Sequence, residues 1–351
     1  MATRIDYDMV MTGKQSVRRR AGVIVGRFFA IFGLTLLFII IFLFGLITIT
    51  FNGPSVSARN LLVSTLMETS AAKFIPRMYF SEEEIQTIMA GNTAVAVNEI
   101  SDSSMVSVAV KDNPDSNIEP IEIIEIKGST YNGKLMIVHD PSRVVVSTSG
   151  GYGENAKGQT LANLVAKENA VAGVNAGGFA DENGMGSGGQ PLGLVIKDGV
   201  ILAGAEVRSC VIGFDRNDTL IVGTMTGYEA LERGMRDAVS FGPVFIVNGK
   251  RSDIYGTGGG LNPRTCIGQT ADGSVLLLTI DGRQATSLGA TYGDCIDILQ
   301  SYGAINAANL DGGSSTSLYY NGEYINVSAS VYGPRDLPTA FVVLPEEGGA
   351  E

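Results

Sequence analysis

Apolar residues follow two different patterns along this chain. From Phe28 to Thr50 they form one unbroken run, FFAIFGLTLLFIIIFLFGLITIT, without a charged residue. Such a run suits a membrane-spanning helix of roughly 20 residues. In the second half the apolar residues fall instead into short runs bounded by Gly, Asn and Asp: IEIIEIKG, KLMIVHD, RVVVSTS, AVAGVN, LGLVIKDGVI, SCVIGFD, TLIVGT, VFIVNGK, SVLLLTIDG and AFVVLP. These read as strands. Asp198-Gly199, Asn248-Gly249, Asp272-Gly273 and Asn321-Gly322 mark hairpins, because such pairs accept positive φ. Two stretches with helical spacing interrupt the strands, Thr160–Ala170 and Asp294–Ala304. Many hairpins and few helices predict an α+β fold with mainly antiparallel or mixed sheets; the regular strand–helix alternation of a doubly wound fold is missing.

Between the two patterns lies a polar, partly periodic stretch. ARNLLVSTLMETSAAKFI has helical spacing, and SEEEIQ from Ser81 resembles an N-cap followed by acids in the first turn. KDNPDSN, Lys111–Asn117, is a strong breaker. The expected organisation is a basic tail at 1–27, an anchor at 28–50, a helical stalk at 51–92, a linker at 93–120 and a folded domain at 121–351.

Charge orients this arrangement. Lys14, Arg18, Arg19, Arg20 and Arg27 precede the apolar run, and Arg59 is the first basic residue after it. The positive-inside rule then puts the N-terminus in the cytoplasm and the domain outside a single-pass cell membrane. A cleaved signal peptide is the alternative, but the run exceeds the usual ~7–15 residue apolar core of such peptides. Residues 1–51 carry six Lys/Arg and two Asp/Glu, leaving 19 against 34 in the remainder. So acidic an outer part excludes nucleic acid as a partner.

Composition narrows the chemistry further. The 45 glycines show no strict period, which fits tight turns and not collagen. Cys210, Cys266 and Cys295 match no zinc-ligand spacing; being three, they allow at most one internal disulfide with one thiol left over, and three buried thiols are the preferred expectation over that bridge. The single histidine, His139, excludes a multi-histidine metal site and is expected to be structural. Chemistry must then rest on Asp, Glu, Arg, Asn, Ser and backbone amides.

Polar residues and glycines coincide at the ends of four apolar runs. In GVNAGGFADENGMGSGGQPLG, Asn175 closes a strand, Gly177 and Gly178 allow close backbone approach, and Phe179 can stack on a ring. In SFGPVFIVNGK, Gly242-Pro243 punctuates a strand start. NPRTCIGQTADGSVLLLTIDGRQ places Arg264 before one strand and Asp281 and Arg283 after the next, where guanidinium forks can meet an anion. ANLDGGSST offers Asp311, flanked by Asn309 and by Gly312, Gly313, Ser314 and Ser315; Arg335 follows downstream.

DPSRV, VNAGGF, GGQPLG, FGPVFIVNG, NPRT, IDGR and NLDGGSST occur in this order and close with RDLPTAFVV. Together they resemble the phosphodiester glycosidase family over roughly Lys134 to Pro345. The chain departs from the commoner pattern with NAGGF where NGGF-like versions are frequent, and with Cys266 after PRT. Neither change touches a residue with acid–base capacity.

The resemblance implies hydrolysis of a sugar joined through its anomeric carbon to a phosphodiester, in cell-envelope or exported polysaccharide metabolism. Asp311 is then the first choice for the carboxylate that stabilises an oxocarbenium-like sugar or activates water, and Asp281 the second. Arg264 and Arg283 would clamp the phosphate. Asn175, Gly177, Gly178, Phe179, Gly242, Asn309, Gly312, Gly313, Ser314 and Ser315 would bind substrate. No cofactor or metal is expected; calcium is the one open alternative, without an EF-hand-like spacing to support it. The rival from another class is a non-catalytic glycan-binding or scaffolding module of exopolysaccharide assembly.

Overall fold

The computed structural model describes residues 2–69, 72–95, 99–108, 119–153, 155–181, 186–330 and 333–346, with side chains from residue 24 onward. The chain divides into two compact units, Met1–Arg59 and Asn60–Glu351. The first contains α1, Ala2–Asn52, within which Ile24–Asn52 is long and apolar enough to cross a membrane, with a mean hydropathy of 2.9. That apolar segment encloses the run expected at 28–50.

The second unit begins earlier than the sequence suggests. Residues from Asn60 onward group with the β-rich domain, so the segment expected as a separate stalk is mostly part of that unit. α2 (Val56–Met67), α3 (Phe74–Arg77) and α4 (Glu82–Ala90) make up this segment. α4 opens on a capping box: the Ser81 hydroxyl accepts from the Glu84 amide while the Glu84 carboxylate accepts from the Ser81 amide. Its Ile85 and Ile88 are buried. The breaker Lys111–Asn117 lies outside the described residues, but the described parts of the expected linker also pack on the domain. Ala94 bridges to Ile254, and the Ser101 amide donates to the Val222 carbonyl.

Three sheets build the domain, and every strand pairing among the described residues is antiparallel. The first has seven strands in the order β1-β2-β13-β12-β14-β10-β11. Its strands are β1 (Ile121–Lys127), β2 (Asn132–Val138), β10 (Val244–Val247), β11 (Lys250–Arg251), β12 (Arg264–Thr270), β13 (Val275–Ile280) and β14 (Ala304–Leu310). The second runs β16-β15-β4-β17-β3, with β3 (Val144–Thr148), β4 (Ala172–Asn175), β15 (Leu318–Tyr320), β16 (Glu323–Tyr324) and β17 (Thr339–Val343). The third runs β6-β5-β9-β7-β8, with β5 (Val195–Lys197), β6 (Val200–Ala203), β7 (Ser209–Asp215), β8 (Leu220–Met225) and β9 (Met235–Ser240).

The three sheets share one core and each covers its other face separately. Val275 and Leu277 of β13 point into the common core with Ile267, Phe214 and Phe341, whereas Leu276, Leu278 and Ile280 join Cys266 and α7 (Tyr292–Ser301). This period-2 division is why VLLLTI is apolar at nearly every position: the strand is buried on both faces. α5 (Leu161–Lys167) covers the second sheet through Leu161, Leu164 and Val342, and α6 (Gly227–Glu232) covers the third through Ala230. α5 and α7 fall on the two helical stretches read from the sequence. α6 was not read there; its capping box of Thr226 and Glu229 is the signal that could have found it.

All four expected hairpin pairs sit between paired strands. Asp198-Gly199, Asn248-Gly249 and Asn321-Gly322 take positive φ at both residues, while in Asp272-Gly273 only the glycine does.

Candidate active site

The register of the seven-stranded sheet brings distant parts of the chain to one end. Arg264 at the start of β12 pairs with Ile280 at the end of β13, and Thr265 pairs with Leu310 at the end of β14. The loops after β13 and β14 and the loop before β12 therefore leave the sheet side by side. β4 joins them, because the Asp311 amide donates to the Ala176 carbonyl at 2.9 Å. Asn175 locks this junction. Its Oδ1 accepts from the Thr265 hydroxyl at 2.8 Å and the Ser317 amide at 3.0 Å, and its Nδ2 donates to the Asp311 carbonyl at 2.5 Å. Asn175 is fully buried, so it positions the Asp311 loop and does not face a ligand.

A cleft of about 400 Å³ opens where these loops meet. Asp311, Arg264, Arg283, Gly242, Asn309, Gly312, Gly313, Ser314 and Ser315 line it. Asp281, Asn175, Gly177, Gly178 and Phe179 do not. His139 is also absent from the lining; its ring nitrogens meet Glu122 and Ser274.

Asp311 is the most perturbed acid in the cleft. Burial pushes its carboxyl up to about 7, against hydrogen bonds from Ser315 and the Gly312 amide, with the nearby Asp181 adding to the rise and Arg335 opposing it. Arg335 braces this corner. Its Nη2 donates to Asp181 at 2.8 Å, its Nη1 to the Ser314 hydroxyl at 3.2 Å, and its guanidinium lies over the Phe179 ring at 5.4 Å. Phe179 thus stacks on an arginine belonging to the fold. Gly313 has φ +61, and a Cβ there would come within 3.1 Å of Arg283 Nη2. This glycine lets the Asp311 loop pass close to a guanidinium.

The two arginines differ in what they have left to offer. Arg264 is buried and four of its five N–H donors are taken: Nε by the Ala290 carbonyl, Nη2 by the Gly259 and Gly260 carbonyls, and one on Nη1 by Glu68 Oε2 at 2.9 Å. Its guanidinium also lies 4.3 Å from the centre of the Tyr292 ring. Arg283 donates through Nη2 to the Glu68 carbonyl at 3.0 Å and to Asn262 Oδ1 at 3.3 Å. Its buried Nε has no partner among the described residues. Of the two, Arg283 keeps more capacity for an incoming anion.

Two expectations change in this geometry. Asp281 Oδ1 accepts from the Val327 amide at 3.0 Å, and the side-chain hydrogen bonds of Arg283 go to Glu68 and Asn262. Asp281 therefore ties its own loop to Asn326 and Val327. The amides of Gly177 and Gly178 are likewise used within the fold, donating to Thr339 Oγ1 and to the Ser240 carbonyl. A Cβ on Gly178 would come within 2.8 Å of the Phe241 ring, so that glycine serves packing against the strand end.

Sequence reading missed part of the lining. Met67, Glu68 and Lys73 come from the segment expected as a stalk, Asp181 and Phe241 from loops read for their glycines, and Tyr292 from the start of α7, just before the helical stretch read from the sequence. Asp181 stood within GGFADENG and was the most findable. Nothing local marks Glu68, whose partner Arg264 is 196 positions away.

A family model for phosphodiester glycosidases matches residues 168–344. The chain is 31% identical over 199 residues to the SPbeta prophage-derived uncharacterized protein YomE of Bacillus subtilis, an alignment spanning 54% of this chain and 30% of that protein. It is 24% identical over 222 residues to the N-acetylglucosamine-1-phosphodiester alpha-N-acetylglucosaminidase of Mus musculus, spanning 57% of this chain and 42% of the mouse protein. The chain thus spans less than half the length of either relative. The zebrafish N-acetylglucosamine-1-phosphodiester alpha-N-acetylglucosaminidase catalytic domain, solved in a form auto-inhibited by its pro-peptide, shares the fold. Its TM-score is 0.56 at 21% identity, over 71% of this chain and 88% of the zebrafish one. With a family model covering half its length, and with the α+β fold shared, the chain belongs to the phosphodiester glycosidase family.

Proposed function

We propose that this chain is a membrane-anchored hydrolase that cleaves glycosyl phosphodiesters at the anomeric carbon, outside the cell membrane. The observation that carries the reading is the pairing in one cleft of Asp311, whose carboxyl burial pushes up to about 7, with Arg283, whose Nε has no partner among the described residues. The first can take a proton from water, and the second can meet the phosphate.

In the proposed reaction the bond between the anomeric carbon and the bridging oxygen breaks, and its electron pair leaves with the phosphate. Arg283 offsets the charge that develops there. Water adds to the anomeric carbon, and Asp311 accepts its proton. The products are a free sugar and a phosphomonoester, whose low basicity spares the enzyme a strong general acid. Asn175 and Arg264 act by position: the first fixes the Asp311 loop, and the second holds the Gly259–Gly260 turn and Glu68 in the cleft wall. α1 is the proposed retained anchor, with the basic tail in the cytoplasm.

The test is sugar release from a panel of sugar-1-phosphodiesters, including an α-N-acetylglucosamine derivative, by the full chain in detergent or vesicles. Wild type releases sugar, Asp311→Asn does not, and reaction in isotopically labelled water puts the label in the sugar. Label in the phosphate overturns cleavage at carbon. Binding by wild type without release of any sugar overturns the hydrolase in favour of a glycan-binding module.

A further inference from the structure

Six charged side chains line the cleft: Glu68, Lys73, Asp181, Arg264, Arg283 and Asp311. Two ion pairs take up three of them. Glu68 meets Arg264 at 2.9 Å, and Asp181 meets Arg335 at 2.8 Å. Asp311 is the proposed base. Arg283 and Lys73 remain, two cations without an ion pair among the described residues. This local surplus lies in a chain whose residues after 51 carry 19 basic side chains against 34 acidic ones. Lys73 also lies upstream of the residues that the family model matches, 168–344.

The fold holds Lys73 in place without using its ammonium. The Ala72 amide donates to the Thr69 carbonyl at 2.8 Å, the Ile75 amide donates to the Ala72 carbonyl at 3.0 Å, and Pro76 is buried. Lys73 makes no side-chain capping bond to α3 and is half-buried. Lys134, Lys197 and Lys250 each meet a carboxylate. The acids on either side of Lys73 along the chain are instead engaged, Glu68 by Arg264 and Glu82 by Arg77. Arg283 approaches the same wall, since its Nη2 donates to the Glu68 carbonyl. In a cleft of about 400 Å³, the flexible four-carbon stem of Lys73 lets both cations reach one bound phosphate.

The proposed hydrolysis, on which this inference rests, creates one negative charge at the phosphate. A phosphodiester carries a single charge. When the bond between the anomeric carbon and the bridging oxygen breaks, its electron pair stays on that oxygen and the phosphate leaves as a dianion. Water adds to the carbon and its proton goes to Asp311, so the charge lost at the carboxylate reappears on the phosphate. One cation matches the substrate, and a second matches only the departing group. We propose that Lys73 is a further catalytic residue: its ammonium meets the leaving phosphate beside Arg283 and offsets the charge that appears as the bond breaks. A contact that strengthens in the transition state speeds the step more than it tightens substrate binding.

The test uses the full chain in detergent with two variants, Lys73→Met, which keeps the apolar stem, and Lys73→Arg, which keeps the charge. On a sugar-1-phosphodiester, Lys73→Met is expected to lose about tenfold in kcat while KM rises by no more than about threefold. The loss is smaller than the roughly 10²–10³ of an enclosed charge-stabilising donor, because Lys73 is only half-buried. Lys73→Arg should recover most of it. Calorimetric titration at about pH 8 then compares a phosphomonoester, there a dianion, with its singly charged methyl ester. Lys73→Met should weaken binding of the dianion about tenfold and of the methyl ester by no more than about threefold, since Coulomb energy grows with charge. A rise in KM with kcat unchanged overturns the catalytic role, as does equal weakening of the two esters. Lys73→Arg as slow as Lys73→Met overturns charge as the cause. Selective loss of the dianion in Lys73→Met, with no wild-type turnover of any sugar-1-phosphodiester, sinks the hydrolase and leaves the phosphate contact standing. Wild-type turnover that Lys73→Met does not change sinks the lysine alone.

Discussion

The loops after β13 and β14 begin alike and end differently. One reads Ile280-Asp281-Gly282-Arg283 and the other Leu310-Asp311-Gly312-Gly313. Both follow an apolar strand, both present an aspartate before a glycine, and the register puts them at nearly the same height on either side of β12. Yet Asp281 accepts the Val327 amide and ties down its loop, while Asp311 lines the cleft with a carboxyl pushed up to about 7. The difference lies in what the rest of the chain brings to each. Asn326 and Val327 meet the first; Asp181, Ser315 and Arg335 surround the second. An Asp-Gly at a strand end says that an acid is presented, and residues remote in sequence decide to what.

The comparison is most exposed to failure at Asp311 itself. Asp311→Asn is expected to lose about 10²–10⁴ in kcat, the range for a positioned acid–base group, with circular dichroism unchanged. Wild-type-like turnover would erase the distinction between the two loops. Arg283→Ala should cost about 10²–10³ in kcat/KM, the loss seen for one charge-stabilising donor, measured on the same sugar-phosphodiester panel. A smaller loss than for Arg264→Ala would reverse the assignment of the two guanidinium groups.

A pH series sharpens the contrast. Below about 7 Asp311 holds its proton, so kcat/KM should fall about tenfold per pH unit as the base form is lost. Stability runs the opposite way. The folded pKa lies above the ordinary carboxyl value, so between about 4 and about 7 the native chain binds a proton that the unfolded chain has released. Stability therefore decreases as pH rises through that window, and Asp311→Asn should flatten the slope of Tm against pH. The smallest effect is expected at Asp281. Asp281→Asn weakens its bond to the Val327 amide, lowering stability by about 1 kcal/mol in a denaturant titration, and leaves kcat near wild type.

Much of this fold is legible from local chemistry. Asn248-Gly249 and Asn321-Gly322 announce hairpins because few other residues accept positive φ, and Ser81 with Glu84 announces α4. Asp311, Arg283 and Asn309 were also legible as cleft residues, since each sits at a strand end beside a glycine or a second polar group. Two kinds of error remain. Gly178 was read as space for a ligand, whereas its missing side chain makes space for Phe241, and a sequence does not say which neighbour a glycine admits. Glu68 was read as part of a stalk because helical spacing carries no information about a partner 196 residues away. Lys73 was lost for the same reason, and Asp181 because its loop was read for glycines alone.

The bond between Glu68 and Arg264 also bears on where the chain can be cut. A cut upstream of Asn60 would separate the two compact units and leave the Glu68–Arg264 pair intact. A cut just after Glu68 would instead let the wall segment leave, stranding a buried guanidinium without its carboxylate. Fully buried pairs broken in this way lose about 3–5 kcal/mol, and here the loss is smaller because Glu68 is partly exposed. A cut on the N-terminal side of Asn60 thus keeps the pair that a cut just after Glu68 destroys.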